Sequence, residues 1–248
     1  MSDGIFDERV APGYDARSAP MFEQAVLGPT VAFLAELAGD GRALEFASGT
    51  GRVALPLQAA GVDVHGIELS RAMLAQMRGK PGGDGLPVTV GDMATTFVDG
   101  QFSLVYLVYN TIGNLLSQAE QVDCFRNAAA HLEAGGRFVV EMWVPELRRL
   151  LPGERFVISD FGDGHIEIDE YDVVTQGLIS HHYWPGGEVP DSGFAAAFET
   201  TPQRYVWPSE LDLMAQLAGL ELAERWSTWS REPFTAESPS HVSVWRRA

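Results

Sequence analysis

Residues 43–78 read ALEFASGTGRVALPLQAAGVDVHGIELSRAMLAQMR, and the fold turns on this stretch. Residues 43–46 form a short apolar run that carries one acid, Glu45. Ser48-Gly49-Thr50-Gly51 is a tight turn, because glycine reaches positive φ without a Cβ penalty. Residues 53–60 have the apolar spacing of a helix, and residues 64–68 read as a second buried strand that ends in Glu68. The stretch is a βαβ unit, with a glycine turn at its first crossover and an acid at the tip of its second strand.

Such a unit suits a nucleotide-like ligand. Gly49 and Gly51 allow the backbone to approach a ligand closely, and the free N–H groups of the following helix favour a negative group. A carboxylate at Glu68 can accept two hydrogen bonds from ribose hydroxyls. It stands nineteen positions after Gly49, close to the roughly 20 expected of a ribose-binding acid. The string from Gly49 to Ala54 also satisfies the dinucleotide pattern G-x-G-x-x-G/A. A nicotinamide-dependent oxidoreductase and a non-catalytic cofactor-binding domain therefore stand as alternatives to the reading developed below.

Outward from that unit, further parallel strands are expected at 88–90, 102–108 and 137–144, with helices at 21–38, 71–78 and 118–132. Ser70 is placed to cap the helix at 71–78. Residues 1–20 form a polar arm broken by Pro12, Gly13 and Pro20, with Tyr14-Asp15 inside it. The pair Gly135-Gly136 closes one helix before the next strand. Beyond residue 153 the pattern changes. Residues 165–174 and 178–184 alternate in β fashion around a turn at Gln176-Gly177, residues 186–193 make a longer loop, and 198–206 is again β-prone. These strands are expected to form a small antiparallel lid, residues 154–206, inserted into a Rossmann-like domain of residues 1–153 and 207–248. A helix from Pro208 and two antiparallel strands, 220–229 and 241–245, complete the chain. The expected fold is α/β: a seven-stranded, mostly parallel sheet with an antiparallel C-terminal strand, plus the lid.

The 248 residues suffice for one large domain with a packed core, since 46% are hydrophobic. A net charge of −17 excludes the basic footprint that nucleic acid or an anionic membrane surface requires. Cys124 is the single cysteine, so no internal disulfide forms. The N-terminus lacks an apolar signal core, and no apolar run reaches the ~18 residues of a membrane helix. A soluble cytoplasmic monomer or homodimer is expected.

Glu45 four residues before Gly49, Glu68, and Gly91-Asp92-Met93 after the third strand together resemble the class I S-adenosylmethionine-dependent methyltransferases. The resemblance implies S-adenosylmethionine as cofactor. Glu45, Ala47, Ser48, Gly49 and Gly51 would face its methionine part, Glu68 its ribose, and Asp92, Met93, Leu69 and Met73 its adenine. An arm ahead of the first strand often covers the cofactor in this family, which places Tyr14 near the sulfonium. Residues 111–121, TIGNLLSQAEQ, and 138–146, FVVEMWVPE, look most like small-molecule enzymes of the amino-sugar N-methyltransferase kind. There the first run tends to read S-I-G-H-L; Asn114 stands at the histidine's place, so an imidazole base is missing from it.

The implied activity is methyl transfer to N or O of a small-molecule acceptor. An amine acceptor needs only to be neutral, whereas a hydroxyl needs a base. Glu141 and the strand pair His181-His182 are the candidate bases, and one histidine should face inward and the other outward. Tyr14, Tyr109 and Asn114 are candidates to hold the acceptor, with Tyr109 also near the cofactor. Glu141 alternatively binds an acceptor ammonium or remains a structural acid. Trp143, at a strand end, either walls the pocket or packs against the next segment.

Overall fold

The computed structural model describes residues 5–162, 164–185 and 196–248. Five parallel strands, β1 (Arg42–Phe46), β2 (Asp63–Glu68), β3 (Val88–Val90), β4 (Phe102–Leu107) and β5 (Leu132–Trp143), build one side of a seven-stranded sheet. A second, antiparallel sheet contains β6 (Phe156–Gly162), β7 (His165–Asp172), β8 (Gly177–Pro185) and β9 (Ala196–Arg204) in that order. The chain then returns to the large sheet with β10 (Leu220–Trp226) and β11 (Ser240–Arg247), giving the order β10-β11-β5-β4-β1-β2-β3. β11 runs antiparallel to both neighbours. The expected seven-stranded sheet with an antiparallel C-terminal strand is thus present, beside a separate four-stranded sheet.

Helices cover both faces. α1 (Ala11–Arg17), α2 (Gln24–Ala38), α3 (Ala54–Ala59) and α4 (Arg71–Arg78) precede β3, while α5 (Gln118–His131) and α6 (Pro208–Leu217) come later. Leu34 and Leu57 pack with Leu104 and Tyr106 on one face. Phe125 and Met214 pack with Val105 and Phe138 on the other. A strand buried on both faces must be apolar throughout, which is why residues 104–107 read Leu-Val-Tyr-Leu. None of the described helices is long and apolar enough to cross a membrane.

Three local expectations need correction. The N-terminal arm contains a helix, α1, because Pro12 sits in its first turn, where no N–H is needed. Gly135-Gly136 lies within β5 and not ahead of it; Gly135 takes φ +79°, and the strand shifts register against β4 at this place. The edge strand β6 went unread, because Phe156, Ile158 and Phe161 are exposed and show no clean alternation. The expected loop at 186–193 lies outside the described residues.

Candidate active site

The tips of β1 and β2 are tied together. Ser48 N donates to Ile67 O at 3.1 Å, and the Glu68 carboxylate accepts from Gly49 N at 2.6 Å and from Ser70 N at 2.7 Å. Ala47, Gly49 and Gly51 all take positive φ. A Cβ on Gly51 would lie 2.9 Å from Leu55 and Met77, so no side chain fits there. The Met73 methyl faces the turn, 3.5 Å from the Cβ position of Gly49. Ser70 caps α4 by accepting from Met73 N. Glu45 is fully buried on β1, and burial pushes its carboxyl up to about 8, eased by Arg52. Its Oε2 has no hydrogen-bond partner. Leu69 is half-buried beside Glu68, and Asp92 begins a turn after β3 by accepting from Ala94 N at 2.7 Å. The Met93 side chain is buried and packs with Phe46 and Ile67.

The N-terminal segment crosses this turn. Thr50 donates to Asp15 at 2.6 Å, Lys80 pairs with Asp15, and Ser70 Oγ donates to Phe6 O at 2.5 Å. Phe6, Ala11 and Tyr14 pack on Ala72 and Met73. Burial pushes the Tyr14 phenol up to about 12, so it stays protonated at neutral pH.

Past β4 the backbone makes two consecutive left-handed residues, Tyr109 and Asn110. Glu141 on β5 holds them: its Oε2 accepts from Tyr109 N at 2.7 Å, and its carbonyl accepts from Asn110 N at 3.2 Å. Its Oε1 accepts from the Trp229 indole at 2.7 Å. The Arg52 guanidinium lies 5.1 Å from the centroid of the Tyr109 ring. Tyr14, Tyr109, Asn114 and Trp143 all line one cavity of about 710 Å³, whereas Glu141 does not line it. Trp143 lines the cavity and also packs in one cluster with Leu147 and Leu150 of the next segment.

The far wall of the cavity is the inner face of the four-stranded sheet. Every second residue of β7, namely His165, Glu167, Asp169 and Tyr171, lines it, as do Ser180, His182 and Trp184 of β8. Glu199 and Thr201 of β9 continue the rows, pairing with His182 and Ser180. His182 thus faces inward, while His181 contacts Glu170, 3.2 Å away, and does not line the cavity. Burial pushes the His182 imidazole down to about 4, aided by the neighbouring His165. Burial also raises the Glu167 and Asp169 carboxyls, and Asp169 adds to the effect on Glu167. Sequence reasoning missed these cavity acids, although their alternation in HIEIDEY over 165–171 is visible.

A family model described as a methyltransferase domain matches residues 43–136. The solved CcbJ methyltransferase from Streptomyces caelestis is 35% identical, with all of both chains covered and a TM-score of 0.84. This chain belongs to the S-adenosylmethionine-dependent methyltransferases. The cypemycin N-terminal methyltransferase of a Streptomyces species is 28% identical over 254 residues, covering the whole of each chain. CalS10 from Micromonospora echinaspora, an amino pentose methyltransferase solved with S-adenosylmethionine, shares the fold at 22% identity and a TM-score of 0.71, over 95% of this chain and 96% of its own. The methyltransferase is therefore an enzyme with S-adenosylmethionine as methyl donor, and the nicotinamide reading is set aside. The glycine turn, the Glu68 carboxylate and the unpartnered buried oxygen of Glu45 fit that donor. They offer a backbone cradle without side chains and acceptors at the strand tips.

Proposed function

We propose that this methyltransferase methylates an amine nitrogen of a small molecule held in the cavity between Tyr109 and the four-stranded sheet. The observation that carries this reading is the charge of the cavity wall. Glu146, Asp160, Glu167, Asp169 and Glu199 line it, against Arg17 as the one arginine or lysine among the lining residues. Carboxylates in a partly desolvated cavity attract an ammonium and concentrate it there. The relatives named as an N-terminal methyltransferase and an amino pentose methyltransferase are consistent with it.

S-adenosylmethionine supplies an already activated sulfonium methyl, so the protein's work is to align an acceptor for in-line displacement. Holding two reactants at near-attack distance can supply roughly 7–11 kcal/mol. In this reading the turn at 48–51 and Glu68 bind the donor, with Leu69, Met73 and the Asp92 turn flanking its adenine. Tyr14 closes over the site from the arm, donating through its protonated hydroxyl. Tyr109 and Asn114 orient the acceptor by hydrogen bonds, and Trp143 excludes water from one side. The bound ammonium first gives up its proton to water or a cavity carboxylate; the neutral amine then attacks the sulfonium methyl without a further base, which agrees with an amide at Asn114. Glu141 positions Tyr109. A cytoplasmic setting, a monomeric or homodimeric state and an inserted lid of residues 154–206 belong to the same proposal.

The test is mass spectrometry of an acceptor panel of amino sugars, free amino termini and matched hydroxy analogues with S-adenosylmethionine. Methylated amines are expected. Methylation of hydroxy analogues alone, or tight S-adenosylhomocysteine binding with no product from any amine, overturns the proposal.

A further inference from the structure

Three side chains of the small sheet converge on one point of the cavity wall. His165 and Glu167 are two apart on β7, so both face inward, and His182 is the cross-strand partner of Glu167 on β8. His165 Nε2 lies 3.2 Å from His182 Nδ1, and Glu167 Oε2 lies 3.8 Å from the same nitrogen. All three donor atoms fall within 4.8 Å of one another, the one such cluster of metal-ligating side chains among the described residues. Metal–nitrogen and metal–oxygen bonds of about 2.0–2.2 Å in tetrahedral arrangement separate neighbouring donors by roughly 3.3 Å. The two observed separations bracket that value.

The two imidazole nitrogens also lie within hydrogen-bond distance of each other, and a bound ion would take the place of that contact. Asp160 Oδ2 lies 2.8 Å from His165 Nδ1. An ionised carboxylate only accepts, so Nδ1 carries the proton and the lone pair of Nε2 points at the cluster. At 3.8 Å, Glu167 Oε2 and His182 Nδ1 are too far apart for a hydrogen bond, yet close enough for one ion to bridge them. The Trp184 ring stands 4.9 Å from His165 and 5.9 Å from His182, limiting how far either can swing.

We infer that His165, Glu167 and His182 bind a divalent first-row transition metal ion on the wall of the cavity. Two imidazoles and one carboxylate satisfy half or more of such an ion's coordination and leave positions open to the cavity. Glu199 lines the same cavity as the cross-strand partner of His182. An oxygen or nitrogen of the acceptor can take an open position, which would fix its register against the donor site. That last role rests on the proposed function; ion binding itself does not.

The test uses tag-free full-length protein stripped with a chelator, then titrated at neutral pH with Zn²⁺ by calorimetry and with Co²⁺ by visible absorption. One equivalent is expected to bind in the micromolar range or tighter, and bound Co²⁺ is expected to gain a ligand-field band. His182→Ala and Glu167→Gln should lose both signals, and Asp160→Asn should weaken binding about 10–100-fold as an orienting residue. His181→Ala, at the neighbouring position with its contact to Glu170, should bind as the parent does. Should His182→Ala fail to fold, His165→Gln takes its place, with circular dichroism as the check. No saturable binding by the parent, or equal binding by the His182 and Glu167 variants, overturns the inference. S-adenosylhomocysteine affinity, measured on the same stripped samples, reports the donor site separately.

Discussion

The carboxylate of Glu68 accepts the backbone N–H of Gly49 at 2.6 Å, joining the tips of two adjacent parallel strands across nineteen residues of sequence. The same side chain also accepts from Ser70 N, so one acid organises both the glycine turn and the start of α4. In the proposed function, donor binding and local stability share this residue.

Glu68→Ala should leave the buried Ser70 N–H unpaired, at about 1–3 kcal/mol, and the part-buried Gly49 N–H at less, and weaken S-adenosylhomocysteine roughly 10–100-fold. Gly49→Val should also lose affinity, for a different reason. The position takes φ +54°, where a β-branched residue is strained by about 1–3 kcal/mol, although a Cβ itself meets only ordinary contacts. Calorimetric titration and melting curves separate the two. Unchanged affinity in both variants removes these residues from the donor site.

Glu141→Gln should lower turnover by loosening the left-handed pair Tyr109-Asn110, because one amide oxygen cannot accept from both Tyr109 N and the Trp229 indole. Its effect on kcat should be uniform across pH. Loss of one limb of the pH–rate profile would instead mark Glu141 as a base.

Glu45 makes stability depend on pH. Its folded carboxyl is raised to about 8 from an ordinary 4.5, so between those values the folded state binds the extra proton. Stability is full below about 4.5 and is lost as pH rises through 8. His241, fully buried and lowered to about 3, acts oppositely but only below its ordinary 6.5. Between pH 6.5 and 8 Glu45 therefore dominates this pair, and Glu45→Gln should flatten the fall in melting temperature over that window. A parallel curve for the variant contradicts the assignment.

Arg204 anchors the small sheet to the large domain. It is 4% exposed and donates to Gln121 at 2.5 Å, Gln176 at 2.9 Å and Glu210 at 2.8 Å. Arg204→Ala removes the cation beside the partly buried Glu210, which keeps the Gln118 and Gln176 amides, and should cost no more than the lower end of about 3–5 kcal/mol in chemical denaturation. Arg204→Lys should rescue little, since an ammonium cannot reach three acceptors in the plane of a guanidinium. Combining Arg204→Met with Glu210→Gln should recover part of the loss.

Legibility followed distance along the chain. The glycine turn, Glu68, the Ser70 cap and the alternation that sends His182 inward are stated within one or two adjacent elements, and each could be read there. Glu141 stayed ambiguous because its role depends on Trp229, 88 positions later. The cavity acids were visible as an alternating run, but nothing in that run says which wall it faces.

By itself the sequence determined the βαβ unit and the layered sheet, since these rest on positive φ at glycine and the period of apolar residues, while the donor class came from the family resemblance that Glu45 and Gly91-Asp92-Met93 carry. Only the tertiary structure decided what stands opposite Tyr109 and Asn114. That wall exists because Arg204, Gln121 and Glu210 fold a separate sheet back over the strand tips, and hydrogen bonds between residues up to 83 positions apart leave no local pattern to read.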